Sequence, residues 1–278
     1  MAVKIVTDST SDIPPQLLKE LDITAVPLYV MFGNKSYRDR IDISEEEFYE
    51  KLLHEPVHPT TAQPTPPDFV DAFTKLAPTA DGILCIHIST KLSGTVNSAE
   101  QAKKLANVKC PIEIVDSLEV SMATGLIVIA AAKLAKAGKG LAEVTAEAKK
   151  MVPNTRLFAL FDTLTYLARG GRIGKAKSLI GAILNVKPLL TLKDGEFVPV
   201  TQARNRAKGK EKLLEFVKSA RDIEDLAVIY STTSDEAKEL ADSIPGFPRE
   251  RITIARLGPA LGVHGGPGLL AIALRAKS

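Results

Sequence analysis

With 278 residues, 36 basic and 33 acidic side chains and a net charge of +3, the chain is long enough for two domains of ordinary size and close to neutral. Near-neutrality excludes the concentrated basic field of a nucleic-acid-binding protein, and an aromatic content of 5% without tryptophan leaves few platforms for stacking bases. Cys85 and Cys110 lie far apart and outside any metal-ligand spacing, so they read as reduced thiols of a cytoplasmic protein that holds no metal.

The first predicted strand, Val3–Thr7, follows the N-terminus directly, with no signal peptide before it. At its carboxyl end stands Asp8-Ser9-Thr10-Ser11-Asp12, where ligands collect in open α/β sheets. Two carboxylates among three hydroxyls suit a nucleophile or Mg²⁺ site; the simpler reading is a hydrogen-bonded turn and helix cap. Pro14-Pro15 opens a helix over Gln16–Leu21, prolines being tolerated in a first turn. A strand is predicted over Thr24–Phe32, ending at Gly33-Asn34, and Ser44-Glu45-Glu46-Glu47 is a capping box for a helix to about His54. The proline-rich stretch His58–Pro67 reads as a rigid loop displaying Thr60, Thr61 and Gln63, with a plain linker as the competing reading. A helix over Pro66–Ala77 follows.

The apolar run Gly82–Ile88 reads as a fully buried parallel strand that breaks into Ser89-Thr90-Lys91-Leu92-Ser93-Gly94-Thr95 before a helix over Val96–Ala106. Ser93, Gly94 and Thr95 stand where free N–H groups, hydroxyls and the helix dipole all favour an anion, phosphate or carboxylate. An ordinary helix cap accounts for the same residues. A strand over Ile112–Val115 leads into Asp116-Ser117 and a helix over Met122–Ala137, whose apolar part is too short to span a bilayer. The alternation of strands and helices implies a parallel sheet covered on both faces.

Beyond about Pro153 the pattern changes. A strand over Leu157–Phe161 and a short helix over Thr163–Ala168 stop at Gly170-Gly171, and a helix is predicted over Lys175–Leu184. Leu189–Leu192 and Phe197–Val200 flank Asp194-Gly195, the signature of a hairpin turn. A helix (Lys210–Ser219), strand (Leu226–Tyr230), helix (Asp235–Ile244) and strand (Arg251–Arg256) precede a glycine-rich tail ending in an apolar run to Leu274. The expected fold is α/β in two domains: 1–153 with a parallel sheet and flanking helices, and 154–278, a mixed α+β unit closing the site.

Familiar catalytic signatures are missing. No G-x-S-x-G elbow is present, Arg169–Lys175 lacks the first glycine and the final hydroxyl of a Walker loop, and Gly266-Pro267-Gly268 has no βαβ unit after it. Arg172, Lys175 and Lys177, with Arg204 and Arg206, form either a basic patch or a solvated face. His264, with Gly262 before it and Gly265-Gly266 after it, is the most suggestive histidine, because glycines let the backbone approach a ligand. His87, inside a buried strand, reads as a satisfied core residue. A stand-alone hydrolase or phosphotransferase would draw on Asp8, Ser9, Asp116 and His264.

Taken in order, these segments resemble the DegV family of bacterial fatty-acid-binding proteins. The resemblance rests on Thr7–Asp12, Thr61-Ala62-Gln63-Pro64, Leu92-Ser93-Gly94-Thr95 with Ser98-Ala99, Asp116-Ser117, Thr163–Leu167 with Gly170–Ile173, Lys187-Pro188, and Gly258-Pro259 through His264 to Gly268. It implies a long-chain fatty acid such as palmitate in an apolar tunnel of the N-terminal domain, with its carboxyl group near the domain junction. It further implies Thr61 and Ser93, with Gly94, Thr95 and His264, as the carboxylate site, and Arg172 and Arg204 facing a partner kinase. That kinase would phosphorylate the bound acid, so the chain itself would be a cytoplasmic carrier with neither catalysis, cofactor nor stable membrane insertion. Ala62 departs from the family's usual serine, which removes one candidate hydroxyl.

Overall fold

The computed structural model describes residues 2–179 and 186–277. In chain order its elements are β1 (Ala2–Asp8), α1 (Pro15–Glu20), β2 (Ile23–Val26), β3 (Tyr29–Phe32), β4 (Lys35–Arg38), α2 (Glu45–His54), β5 (Thr60–Ala62), α3 (Pro66–Leu76), β6 (Ala80–His87), α4 (Thr95–Leu105), β7 (Ile112–Asp116), α5 (Met122–Lys136) and α6 (Leu141–Met151). There follow β8 (Thr155–Leu160), α7 (Thr165–Arg169), β9 (Lys187–Lys193), β10 (Glu196–Ala203), α8 (Arg206–Ser219), β11 (Ile223–Tyr230), α9 (Ser234–Asp242), β12 (Ile252–Arg256), α10 (Pro259–Gly265) and β13 (Leu270–Ala276).

Four strands in the order β2-β1-β6-β7 form a fully parallel sheet. Six more, β10-β9-β8-β13-β11-β12, form a mixed sheet in which only β11 and β12 run parallel. The chain is thus α/β, with helices on both faces of the parallel sheet: α3 and α4 on one, α5 and α6 on the other. Helix α5 packs against β1 on one side and against β8, β11 and β13 on the other. Its residues from Met122 to Ala132 are all buried, which explains why it is apolar all round and shows no amphipathic stripe. Gly125 permits the close approach, since a Cβ there would stand 2.6 Å from the carbonyl oxygen of Ser11. Helices α8 and α9 cover the outer face of the mixed sheet.

Several expectations need correction. The single strand expected over Thr24–Phe32 is two strands in different sheets, because Pro27 has no N–H to give a ladder and Leu28 spends its N–H on Ser9 Oγ at 3.0 Å. The proline-rich loop contains a strand, β5, paired antiparallel with Tyr29–Met31 in a small sheet of order β4-β3-β5. Helix α6 went unread although Leu141, Val144, Ala148 and Met151 carry helical spacing. The glycine-rich tail holds α10 and then β13, an interior strand of the mixed sheet. Of the helix expected over Lys175–Leu184, Lys175–Leu179 falls in a 3₁₀ turn and the rest lies outside the described residues.

Candidate ligand-binding site

A cavity of about 290 Å³ lies between the carboxyl edge of the parallel sheet and the inner face of the mixed sheet. Its walls come from both sides of residue 153. Ile88 and Val120 supply apolar surface from one side; Leu157, Phe161, Phe197 and Ile229 supply it from the other. Room is made by Ala159 and Ala271, which also line it and stand opposite each other in the β8–β13 register.

Five polar side chains on the wall, Thr61, Gln63, Ser93, Arg172 and His264, are linked by a chain of contacts. Thr61 Oγ1 and His264 Nε2 are 2.9 Å apart. Gly170 lies against His264, so closely that a Cβ would come within 2.0 Å of Nδ1. The carbonyl oxygen of Gly170 accepts from Arg172 Nη1 at 2.7 Å, while Arg172 Nε donates to the carbonyl of Leu92 at 3.2 Å. Ser93 follows Leu92, with its hydroxyl 2.9 Å from that of Thr95. Gly94 faces the amide of Gln63 without room for a Cβ, and Gln63 donates to Ser98 Oγ at 3.0 Å. Strand β5 presents Thr61 and α10 presents His264, so the cluster closes only when the small sheet and the C-terminal helix meet.

Burial, reinforced by Arg172 and His58, pushes the His264 imidazole down to about 4, which makes it neutral at physiological pH. Its buried Nδ1 has no hydrogen-bond partner among the described residues. An unpaired buried N–H costs more than an unpaired lone pair, so the proton belongs on Nε2, donating to Thr61. The Thr61 hydroxyl proton is then free for an acceptor in the cavity. With the cationic Arg172 beside it, the cluster suits a carboxylate or another small anion.

Of the candidate residues, the structure brings Thr61, Ser93, His264 and Arg172 onto one cavity wall. Gly94 and Thr95 stand behind it: Gly94 caps α4, and Thr95 is buried against Ser93. Arg172 and Arg204, both expected to face a partner, are both exposed; Arg172 also lines the cavity and Arg204 does not. The alternative catalytic set does not assemble. Asp8 is buried on His87 at 2.9 Å, Ser9 accepts from Leu28, Asp116 takes the hydroxyl of Thr90 at 2.6 Å, and none of the three lines the cavity. His87 is satisfied at Nδ1 only, since its Nε2 has no hydrogen-bond partner among the described residues. Burial pushes the Cys85 thiol up, which removes it as a nucleophile. Among the described residues no group of three or more His, Cys, Asp or Glu could hold a metal ion, and no helix is long and apolar enough to cross a membrane. Thr10, one of the hydroxyls noted at the end of the first strand, also lines the cavity, as does Ser121, which only tertiary contact reveals; the same holds for Gly170 against His264.

Comparison with known proteins gives a consistent result. The family model described as "Uncharacterised protein, DegV family" matches residues 2–277. A DegV domain-containing protein of Caldanaerobacter subterraneus is 37% identical, with 95% of each chain covered. A solved structure on the fatty acid binding of a DegV family protein from Thermus thermophilus superposes with a TM-score of 0.93 at 35% identity, covering 100% of both chains. A stearic acid-binding protein from Eubacterium ventriosum superposes with a TM-score of 0.90 at 27% identity, covering 99% of this chain and 98% of that one.

Proposed function

The chain belongs to the DegV family, and from that membership and the cavity we propose that it binds one long-chain fatty acid, palmitate or a close relative, and presents it to a separate fatty acid kinase. The observation that carries the reading is the pairing of Thr61 with a neutral His264 on the wall of an apolar cavity that also holds Ser93 and Arg172. Affinity comes from the chain, at about 0.8 kcal/mol per methylene and about 10 kcal/mol gross over a palmitoyl group, before the cost of association. Orientation comes from the head group: Thr61 and Ser93 each offer a hydroxyl, Arg172 adds charge, and His264 holds Thr61 in its donating sense.

In this reading the protein is a cytoplasmic carrier. The kinase supplies ATP and transfers a phosphoryl group to the exposed carboxylate, and the exposed Arg204 lies on the surface that meets it. Two assays test the proposal. Fatty acid extracted from the purified protein tests the binding, and acyl phosphate formation with and without added kinase tests the presentation; product from the chain alone with ATP would contradict it.

A further inference from the structure

Two further polar residues line the same cavity, Thr10 and Ser121, and they differ in chemistry from the head-group cluster. Both are almost wholly buried, at 1% and 3% exposure. Thr10 donates its hydroxyl proton to Asp8 Oδ1, which also accepts from the Thr10 backbone N–H at 3.1 Å. The other Asp8 oxygen takes His87 Nδ1 at 2.9 Å and the backbone N–H of Ile88 at 3.3 Å. Ser121 donates to Asp12 Oδ2 at 2.5 Å. Asp12 Oδ1 is held by Arg40 Nη2 at 3.0 Å and by the N–H of Gly258 at 2.9 Å. With both carboxylates ionised, each hydroxyl has spent its one proton on a buried carboxylate and keeps only lone pairs for the cavity. Ser121 sits in a left-handed conformation, φ 55°, that an L-residue adopts at a cost.

An unsubstituted acyl chain has nothing to give such a wall. A chain hydroxyl has one proton to donate, whereas a chain ketone has none. We propose that Thr10 and Ser121 form a second, acceptor-only subsite that receives a hydroxyl group carried on the hydrocarbon chain, so that the ligand class extends to hydroxy fatty acids. The inference rests on the fatty-acid reading above and names the part of the ligand which that reading leaves unspecified.

Asp12 sets the sense of the subsite. Burial pushes its carboxyl up to about 7 despite Arg40, Ser121 and the Gly258 N–H, with Asp39 adding repulsion. Above pH 8 it is ionised and Ser121 must donate to it. In Asp12→Asn the oxygen stays with Arg40 and Gly258, the amide NH₂ faces Ser121, and the serine proton turns towards the cavity.

The test is calorimetric titration at pH 8.5 of stearate, a positional series of monohydroxystearates and the matching ketostearates. The best-placed hydroxystearate should bind at least as tightly as stearate, and about tenfold more tightly than the ketone at the same carbon. That hydroxy-to-keto ratio should fall to about threefold or less in Ser121→Ala and in Thr10→Val, each read against stearate binding by the same variant as proof of folding. In Asp12→Asn the ketone should gain. Hydroxystearates that all bind more weakly than stearate, or a ratio that none of the three variants moves, would overturn the proposal. Failure of stearate itself to bind would instead remove the fatty-acid reading, and this one with it.

Discussion

Thr61 Oγ1 and His264 Nε2 lie 2.9 Å apart although 203 residues separate them in the chain. The contact joins the small β3–β4–β5 sheet to α10, which in turn packs on α2 and α7. A hydroxyl on one element thus takes its hydrogen-bonding sense from an imidazole on another, and the pairing exists only in the assembled fold.

Removing the hydroxyls should weaken head-group binding and leave chain burial intact. Thr61→Val and Ser93→Ala are each expected to lower palmitate affinity about tenfold, the worth of one hydrogen bond to a charged group. Isothermal titration checks this; the lack of tryptophan rules out intrinsic indole fluorescence as the readout.

Gly170→Ala probes the imidazole without touching it. The backbone at Gly170 has φ −77°, which alanine adopts freely, but the new Cβ would stand 2.0 Å from His264 Nδ1. The ring must move away from Thr61. Palmitate affinity should fall about tenfold while the far-ultraviolet circular dichroism is unchanged.

His264 also makes a pH prediction. Its folded value of about 4 lies below the ordinary 6.5, so between those limits the unfolded chain takes up a proton that the folded protein refuses. Stability from this group is therefore present above pH 6.5 and lost as pH falls towards 4. Asp12, raised to about 7, works in the opposite direction, losing stability as pH rises from 3.8 to 7, and it does so equally in wild type and a His264 variant. Urea denaturation at pH 4.5 and 7 should show wild type losing more stability on acidification than His264→Gln.

Ala159 and Ala271 keep the cavity open. Ala159→Phe should fill space between the sheets, abolish binding of long acyl chains and preserve the fold, at a cost of about 1–3 kcal/mol from overpacking. Competition between laurate and stearate, with thermal unfolding as the control, decides whether the blocked variant prefers the shorter chain.

Much of the parallel sheet could be read from the chain because its central strands β1 and β6 are apolar and almost wholly buried. Ser44 accepts from the N–H of Glu47 as its capping box requires, and Asp194-Gly195 makes the expected hairpin turn, both residues at positive φ. What escaped was set by partners distant in sequence. Thr60–Ala62 is a strand only because Tyr29–Met31 lies beside it. Leu270–Ala276 is an interior strand because β8 and β11 flank it, and its apolar run from Leu270 to Leu274 fits strand and helix equally. Within the candidate site, Thr61, Ser93 and His264 could be picked out as hydroxyls and an imidazole held among prolines and glycines. Arg172 was legible as a charge, but its place on the cavity wall depends on the carbonyl of Leu92, 80 residues away.

A cavity that holds a fatty acid should keep it through purification. Protein purified from a heterologous host, examined by native mass spectrometry and then by lipid extraction, should carry one long-chain fatty acid per chain, and Thr61→Val should carry less. Wild-type protein that emerges free of lipid and takes up no added palmitate would contradict the account.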